Sequence, residues 1–190
     1  MKSFFPVSIF IICLFAGCAT VSKQDLAGEP LYPVTPELIG SPFAEPFEKA
    51  MFKANLDIGK NHITGYLLIK KTSDSSFRFA FTSEIGISWF DLELVNRELI
   101  KHAIFGPLDK KALISIFEQD FNALIYTVGA CPGPKAYPVI ATGNYALIGG
   151  KNPVYRYRID FENQRSGIAR QVVLKNPAIK LTMTLRLMGE

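Results

Sequence analysis

The side chains that could do acid–base, metal or nucleophilic chemistry are few in this sequence and stand apart from one another. His62 and His102 are the only histidines, and neither lies near a His-x-x-x-His or Cys-x-x-Cys motif, so no zinc site is predicted. Asp91 and Glu93 share one face of a predicted strand and could form a carboxylate pair, but a solvated outer face explains them as well. Cys131 has no histidine nearby in sequence, which favours a thiol without a chemical role over a nucleophile. The sequence therefore predicts no catalytic residue, no metal site and no cofactor, and the protein is not expected to be an enzyme.

The composition excludes several classes of protein. Of the 190 residues, 48% are hydrophobic and 20% are charged, which is typical of a globular protein and not of a disordered or collagen-like one. The formal net charge is +4, and no run of basic residues could follow a phosphate backbone. Nucleic acid is therefore not expected as a partner.

The N-terminal segment has the three-part layout of an export signal. Lys2 is followed by an apolar run at residues 4–15 and by the small residues Ala16 and Gly17, just before Cys18. The run is short for a helix that must span ~30 Å of hydrocarbon. A cleaved signal is therefore favoured over a retained transmembrane anchor.

Residues 15–18 (Phe-Ala-Gly-Cys) resemble the cleavage motif of a bacterial lipoprotein signal, with phenylalanine at a position that is usually aliphatic. The resemblance implies that residues 1–17 are removed and that Cys18 carries lipid such as palmitate. Ala19 stands where many lipoproteins of the inner membrane have aspartate, which implies an anchor in the outer membrane with the domain on the periplasmic side. The alternative is a secreted protein whose cysteine at this position is a coincidence.

The segment that follows predicts a spacer and then a folded domain. Residues 18–43 are rich in proline, glycine and small polar residues, a composition typical of an extended tether. Leu38, Ile39 and Phe43 are expected to be the first side chains to dock on the domain, which is predicted to occupy residues 44–190.

Alternation of apolar and polar side chains predicts about nine strands in this domain. The predicted strands cover residues 51–58, 63–71, 77–82, 89–95, 98–105, 137–148, 155–161, 168–174 and 179–187. Between the fifth and sixth strands, apolar residues at helical spacing predict one helix over residues 110–127, with Asp109 as its cap and Asp120 as the one polar member of its apolar stripe. The fold class is therefore α+β: a curled antiparallel sheet, or half-barrel, covered on its concave side by one main helix.

Aromatic residues on these elements could line a cavity for an acyl chain, because a curved sheet under one helix does not automatically fill its own hollow. The candidates for such a cavity are Phe52, Phe79, Phe81, Phe90, Phe117, Phe121 and Tyr157. A packed aromatic core is the alternative.

The order of elements over residues 50–188 resembles the LolA/LolB family of periplasmic lipoprotein carriers and outer-membrane receptors, which fold as an unclosed barrel with helices over its mouth. The receptor of that family is itself a lipoprotein and carries an exposed apolar residue on a hairpin loop. The resemblance implies that Ile85 or Ile87, in Glu-Ile-Gly-Ile-Ser between the third and fourth strands, contacts a membrane or a partner.

Two functions follow from these expectations. The first is a lipid-anchored, non-enzymatic protein facing the periplasm that binds a lipid or acyl chain in its half-barrel, with lipoprotein or lipid trafficking as its expected role. The second is an envelope scaffold or interaction lipoprotein with a filled core and no ligand.

Overall fold

The computed structural model describes residues 42–43, 47–126, 135–139, 144–149, 157–161 and 167–189 of the chain. Ten strands and one α-helix lie in these ranges. The strands are β1 Lys49–Ile58, β2 Asn61–Ser73, β3 Ser76–Thr82, β4 Ser88–Val95, β5 Glu98–Ile104, β6 Lys135–Val139, β7 Asn144–Gly149, β8 Tyr157–Phe161, β9 Gln171–Asn176 and β10 Leu181–Leu187, and the helix α1 is Lys111–Ile125.

All ten strands belong to one open antiparallel sheet. Its order is β5-β4-β3-β2-β1-β10-β9-β8-β7-β6, so two meanders, β1–β5 and β6–β10, meet where β1 pairs with β10. The predicted fold class, a curled antiparallel sheet with one main helix, is confirmed.

The described residues contain one strand more than the sequence pattern predicts. The segment 137–148 holds both β6 and β7, which pair antiparallel with Lys135 opposite Ile148. Pro138 lies within β6, and β6 is an edge strand with β7 as its neighbour in the sheet. An edge strand tolerates a proline because one side of its backbone has no ladder to complete, so Pro138 does not interrupt the strand.

The helix α1 begins one residue later than predicted, and its cap differs. Lys110 occupies the N-cap position without a side-chain hydrogen bond to the backbone. Asp109 does not cap the helix, because its carboxylate instead accepts hydrogen bonds from Lys101 Nζ at 2.9 and 3.0 Å. The charged partner on β5 therefore outcompetes the backbone N–H groups of the helix for this carboxylate.

The helix connects the two edge strands of the sheet, since it follows β5 and precedes β6. A segment that joins opposite edges has to cross one face of the sheet, and curling of the sheet shortens that path. The helix inserts a row of apolar side chains against this face, and Phe121 stacks on Phe79 of β3 with ring centroids 4.0 Å apart. We call the face covered by α1 the inner face.

The strand register makes the inner face continuous across the sheet. Phe52 lies opposite Leu67, Leu67 opposite Phe81, and Phe81 opposite Phe90, so these residues of β1 to β4 project to the same side. The same parity continues through β10 and β9, where Leu185 lies opposite both Ala54 and Val172. These residues belong to one hydrophobic core that includes the buried face of α1.

The described part of the domain includes the end of the predicted tether. Phe43 is buried, forms an isolated bridge with Ile168, and contacts Phe52 with ring centroids 6.1 Å apart. The Pro42 carbonyl accepts a hydrogen bond from the Ala169 N–H at 2.9 Å. Phe43 therefore docks as its apolar side chain predicts, while Leu38 and Ile39 lie outside the described residues.

The last strand starts later than its alternation suggests. Residues Pro177–Ile179 form a short 3₁₀ helix, and Lys180 follows in the left-handed region at φ 51°. Proline pre-sets the turn geometry here, so Ile179 belongs to the turn and β10 begins at Leu181.

Candidate functional site

The phenylalanines predicted to line a cavity are buried on the inner face and contact one another. The six members of the set whose side chains are described are each at most 1% exposed: Phe52, Phe79, Phe81, Phe90, Phe117 and Phe121. Phe90 contacts the rings of Phe81, Phe117 and Phe121 at centroid distances of 5.4, 5.3 and 6.1 Å. A ring that faced an open, solvent-sized cavity would keep accessible surface, so these rings fill the space between α1 and β3–β4. Tyr157 starts β8, but its side chain lies outside the described residues.

Asp120 lies in the middle of the buried side of α1. Leu113, Phe117, Phe121 and Leu124 share this side of the helix, and Asp120 is 1% exposed among them. Neither carboxylate oxygen has a hydrogen-bond partner in the described part of the chain. Burial raises the pKa of Asp120 to about 8, so the carboxyl group is protonated at neutral pH.

The two isoleucines implied by the family resemblance lie at the tip of the β3–β4 hairpin. Ile85 is 84% exposed and Ile87 is 43% exposed. The tip is closed by two hydrogen bonds of 2.8 Å, in which the Ser83 N–H donates to the Ile87 carbonyl and the Ile87 N–H donates to the Ser83 Oγ. Gly86 adopts a φ of 87° that favours glycine. Because the backbone of the turn is held by these bonds, the exposure of Ile85 is built into the hairpin.

A second contact fixes the hairpin against the rest of the sheet. Gly65 of β2 lies so close to the end of β3 that a Cβ atom there would stand 2.1 Å from the Thr82 carbonyl oxygen. At the tip itself, Lys53 Nζ lies 3.3 Å from the Glu84 carboxylate. The hairpin therefore packs closely on β2, and the acidic residue of its tip is neutralised by a lysine of β1.

Trp89 and Phe105 also lie at this end of the sheet, although neither was among the candidate site residues predicted from the sequence. The Phe105 N–H donates to the Trp89 carbonyl at 2.7 Å, and the two rings meet edge to face with centroids 5.2 Å apart. Phe105 is 45% exposed. Sequence reasoning placed both residues at the ends of strands, and only the pairing of β4 with β5 brings them together.

The carboxylate pair Asp91 and Glu93 lies on the outer face, where ion pairs and hydrogen bonds occupy both groups. Arg78 donates to Asp91 through two nitrogens at 2.7 and 2.6 Å, and this hydrogen bonding lowers the pKa of Asp91. His102 Nε2 lies 2.8 Å from Glu93, and the Thr72 hydroxyl donates to Glu93 at 2.9 Å. The hydrogen bond with His102 lowers the pKa of Glu93 further than that with Thr72 does. A general acid or base that works near neutral pH needs a pKa raised toward 7, so this arrangement suits a solvated face and not acid–base chemistry.

The remaining candidate residues do not assemble into a site. His62 Nδ1 lies 2.5 Å from Asp57 on the exposed β1–β2 hairpin. In the ranges that the structure describes, no three histidine, cysteine or carboxylate side chains come together in a way that could hold a metal ion. Cys18 and Cys131 lie outside the described residues.

Comparison with protein-family models and with curated protein sequences identifies no relative of this chain. No model of a protein family matches the chain, and no curated protein sequence does. None of the helices in the described ranges has the length and apolar character needed to cross a bilayer. The resemblance to lipoprotein signals and to the LolA/LolB family therefore stays a prediction from the sequence.

Proposed function

We propose that the protein is a lipid-anchored, non-catalytic module of the bacterial cell envelope that acts through its surface. The observation that carries this proposal is the exposed, hydrogen-bonded tip of the β3–β4 hairpin, with Ile85 and Ile87 at its end. Neighbouring exposed apolar side chains on the surface of a monomeric protein often mark a site of contact with a partner or a membrane. The lipoprotein-like signal before Cys18 supplies the anchor, and the periplasmic side of the outer membrane is the proposed location.

The packing of the interior supports a surface role over a carrier role. Phe79, Phe90, Phe117 and Phe121 are in ring contact across the helix–sheet interface, and none of them is measurably exposed. An acyl chain could enter this space only if these rings moved apart, which would cost the contacts that hold α1 on the sheet.

A second candidate function, the holding of a lipid or acyl chain under α1, is favoured by Asp120. A buried carboxyl group without a partner costs free energy, and natural cores pair most such groups. A protonated Asp120 could donate a hydrogen bond to a carbonyl or ester oxygen of a bound lipid, which would explain its place on an apolar helix face.

The anchor is tested by changing Cys18→Ser in the full chain. We expect the variant to incorporate no labelled palmitate and to leave the membrane fraction, because serine cannot form the thioether that would hold the anchoring lipid. The matched control is Cys13→Ser, which lies within the predicted signal and should leave both labelling and fractionation unchanged. Unchanged fractionation of the Cys18→Ser protein would show that the anchor has been misassigned.

A further inference from the structure

The outer face of the sheet, which is turned away from α1, carries an apolar stripe across four strands. Met51 of β1 lies opposite Leu68 of β2, and Leu68 lies opposite Ala80 of β3. On the other side of β1, the N–H of Met188, just after β10, donates to the Met51 carbonyl at 2.8 Å. Met51 is 46% exposed and Met188 is 41% exposed. We call Met188, Met51, Leu68 and Ala80 the methionine stripe.

Basic side chains border the methionine stripe on both sides. On one side, Lys49 of β1 lies opposite Lys70 of β2. On the other side, Lys53 of β1 lies opposite Arg186 of β10. All four residues are exposed. Like charges that lie directly opposite one another destabilise a sheet, so these two pairs cost stability that an acidic partner would offset.

Carboxylates of the chain itself neutralise only part of this charge. The Glu84 carboxylate lies 3.3 Å from Lys53 Nζ. Lys49, Lys70 and Arg186 have no carboxylate partner among the residues that the structure describes. Their charges therefore remain available to an acidic ligand. They also disfavour docking of this face on the same face of a second copy, because the two sets of charges would repel each other.

The stripe and its borders have the dimensions of one α-helix. Lys49 and Lys53 lie four residues apart on β1, which is ~13 Å along the strand, and a helix with its side chains is about 10–12 Å wide. The stripe crosses three gaps between strands, so it is ~14 Å long, a length that about two and a half helical turns cover. A helix that lies across the strands therefore fits between the two basic borders.

The side chains of the stripe favour a protein partner over a lipid bilayer. More than half of the surface of each methionine is already covered, and the lysine and arginine side chains beside them are longer. The apolar groups therefore do not reach past the charged ones, as insertion into the acyl boundary of a bilayer requires. Methionine is flexible and polarizable, and it is frequent on surfaces that bind the apolar face of a helix.

We infer that the methionine stripe and its basic borders bind an acidic amphipathic helix of a partner protein. The helix places apolar side chains on the stripe and carboxylates against Lys49, Lys70 and Arg186. This surface goes beyond the proposed function, because it lies on the outer face of the sheet and its contact needs neither the anchor nor the tip of the β3–β4 hairpin.

Site-specific photo-crosslinking in the full chain tests this contact. The photoreactive residue p-benzoylphenylalanine is placed at position 51, and the control carries it at position 100 of β5, where Ile100 is 44% exposed and thus similar to Met51. Cells that produce the protein are irradiated, and the crosslinked peptide is sequenced by mass spectrometry. We expect a protein adduct at position 51 and a much weaker one at position 100. The crosslinked peptide should carry acidic residues beside apolar residues spaced three and four apart.

Paired variants separate the basic borders from general effects. Lys49→Gln with Lys70→Gln should lower the yield of the adduct at position 51 about fourfold, because each exposed ion pair contributes a factor of about two. The matched control is Lys60→Gln with Lys180→Gln, which removes the same charge from the turns that meet at the far end of β1 and should leave the yield unchanged.

A second pair of variants tests the apolar part of the surface. Met188→Ser should lower the yield of the adduct at position 51, because it removes the apolar side chain beside Met51. Ile85→Ser, at the tip of the β3–β4 hairpin, should leave this yield unchanged.

An acidic peptide with helical spacing, in a yield that depends on the two lysines, supports the contact. A lipid adduct, an adduct with a second copy of this chain, a neutral or basic peptide, or a yield no higher than at position 100 overturns it. Equal yields in the lysine variant and its control overturn it as well. Membrane fractionation of the Cys18→Ser protein bears only on the proposed function, so the two proposals can fail separately.

Discussion

Asp120 places an ionisable carboxyl group in the middle of an apolar interface. Folding removes this group from water without giving either oxygen a hydrogen-bond partner within the described residues. The penalty falls on the charged form, which is why the pKa of Asp120 rises from 3.8 to about 8. In the unfolded chain the same group has an ordinary pKa near 3.9.

The sign of the resulting pH dependence follows from proton counting. Between about pH 4 and pH 8 the folded state keeps the Asp120 proton and the unfolded state has lost it, so the free energy of unfolding falls as pH rises. Above about pH 8 both states are ionised and this contribution becomes constant. The slope is about 1.4 kcal/mol per pH unit, which amounts to about 4 kcal/mol between pH 4 and pH 7.

We predict that Asp120→Asn stabilises the protein at neutral pH and has little effect near pH 4. The amide has nearly the shape of the protonated acid but cannot ionise, so the variant lacks the loss of stability described above. Urea unfolding of both proteins at pH 4.5, 6 and 7.5 measures the difference. Curves that run parallel across this range would show that Asp120 is not buried as a neutral acid.

At the scale of elements, the start of α1 combines weak local stability with charge. Lys110 has the extended backbone of an N-cap residue, at φ −118° and ψ 128°, but lysine cannot accept a hydrogen bond from the first turn. The helix is therefore stabilised mainly by the packing of residues such as Ile116 and Phe117 on the sheet, and little by hydrogen bonds at its N-terminus.

We predict that Lys110→Asp raises the stability of the protein. An aspartate at the N-cap accepts a backbone hydrogen bond and should add about 1 kcal/mol to the free energy of unfolding. Lys110→Ser should have a similar effect, because serine caps the helix without adding a negative charge. Urea unfolding measures both changes, and a Lys110→Asp protein that is no more stable than the parent would contradict this prediction.

At the scale of the whole molecule, the pairing of β1 with β10 turns two meanders into one sheet around one core. Residues from both meanders, such as Phe81 and Leu174, belong to the same buried cluster as the helix. The sheet remains open at β5 and β6, so its curvature and not closure encloses the core.

A core filled in this way predicts that the isolated protein carries no lipid cargo. Native mass spectrometry of the Cys18→Ser protein, which would lack the proposed anchor lipid, should give the mass of the polypeptide alone, and added fatty acyl probes should not bind. A bound lipid would instead support the carrier function. Its occupancy should then fall in Asp120→Leu, which removes the proposed polar contact, but not in Asp91→Leu on the outer face.

Much of the architecture could be predicted from the pattern of apolar and polar residues along the sequence. Alternation along β1 to β5, and along β8 and β10, marks strands because side chains of a strand project to opposite faces with period two. The apolar stripe of α1, which includes Leu113, Phe117 and Leu124, could likewise be predicted because these residues recur at the spacing of helical turns. The predicted export signal and the predicted anchor at Cys18 also rest on local patterns, which is why they can be proposed from the sequence alone.

Only the tertiary structure decided what depends on residues far apart in the chain. The union of β1 with β10, the loss of Asp109 as a helix cap to Lys101, and the meeting of Trp89 with Phe105 all require the strands to be paired. Whether an aromatic residue lines a hollow or fills it is likewise set by its opposite neighbour, as the stacking of Phe121 on Phe79 shows. Periodicity reports which face a side chain occupies, but packing depends on the side chains that other elements bring to that face.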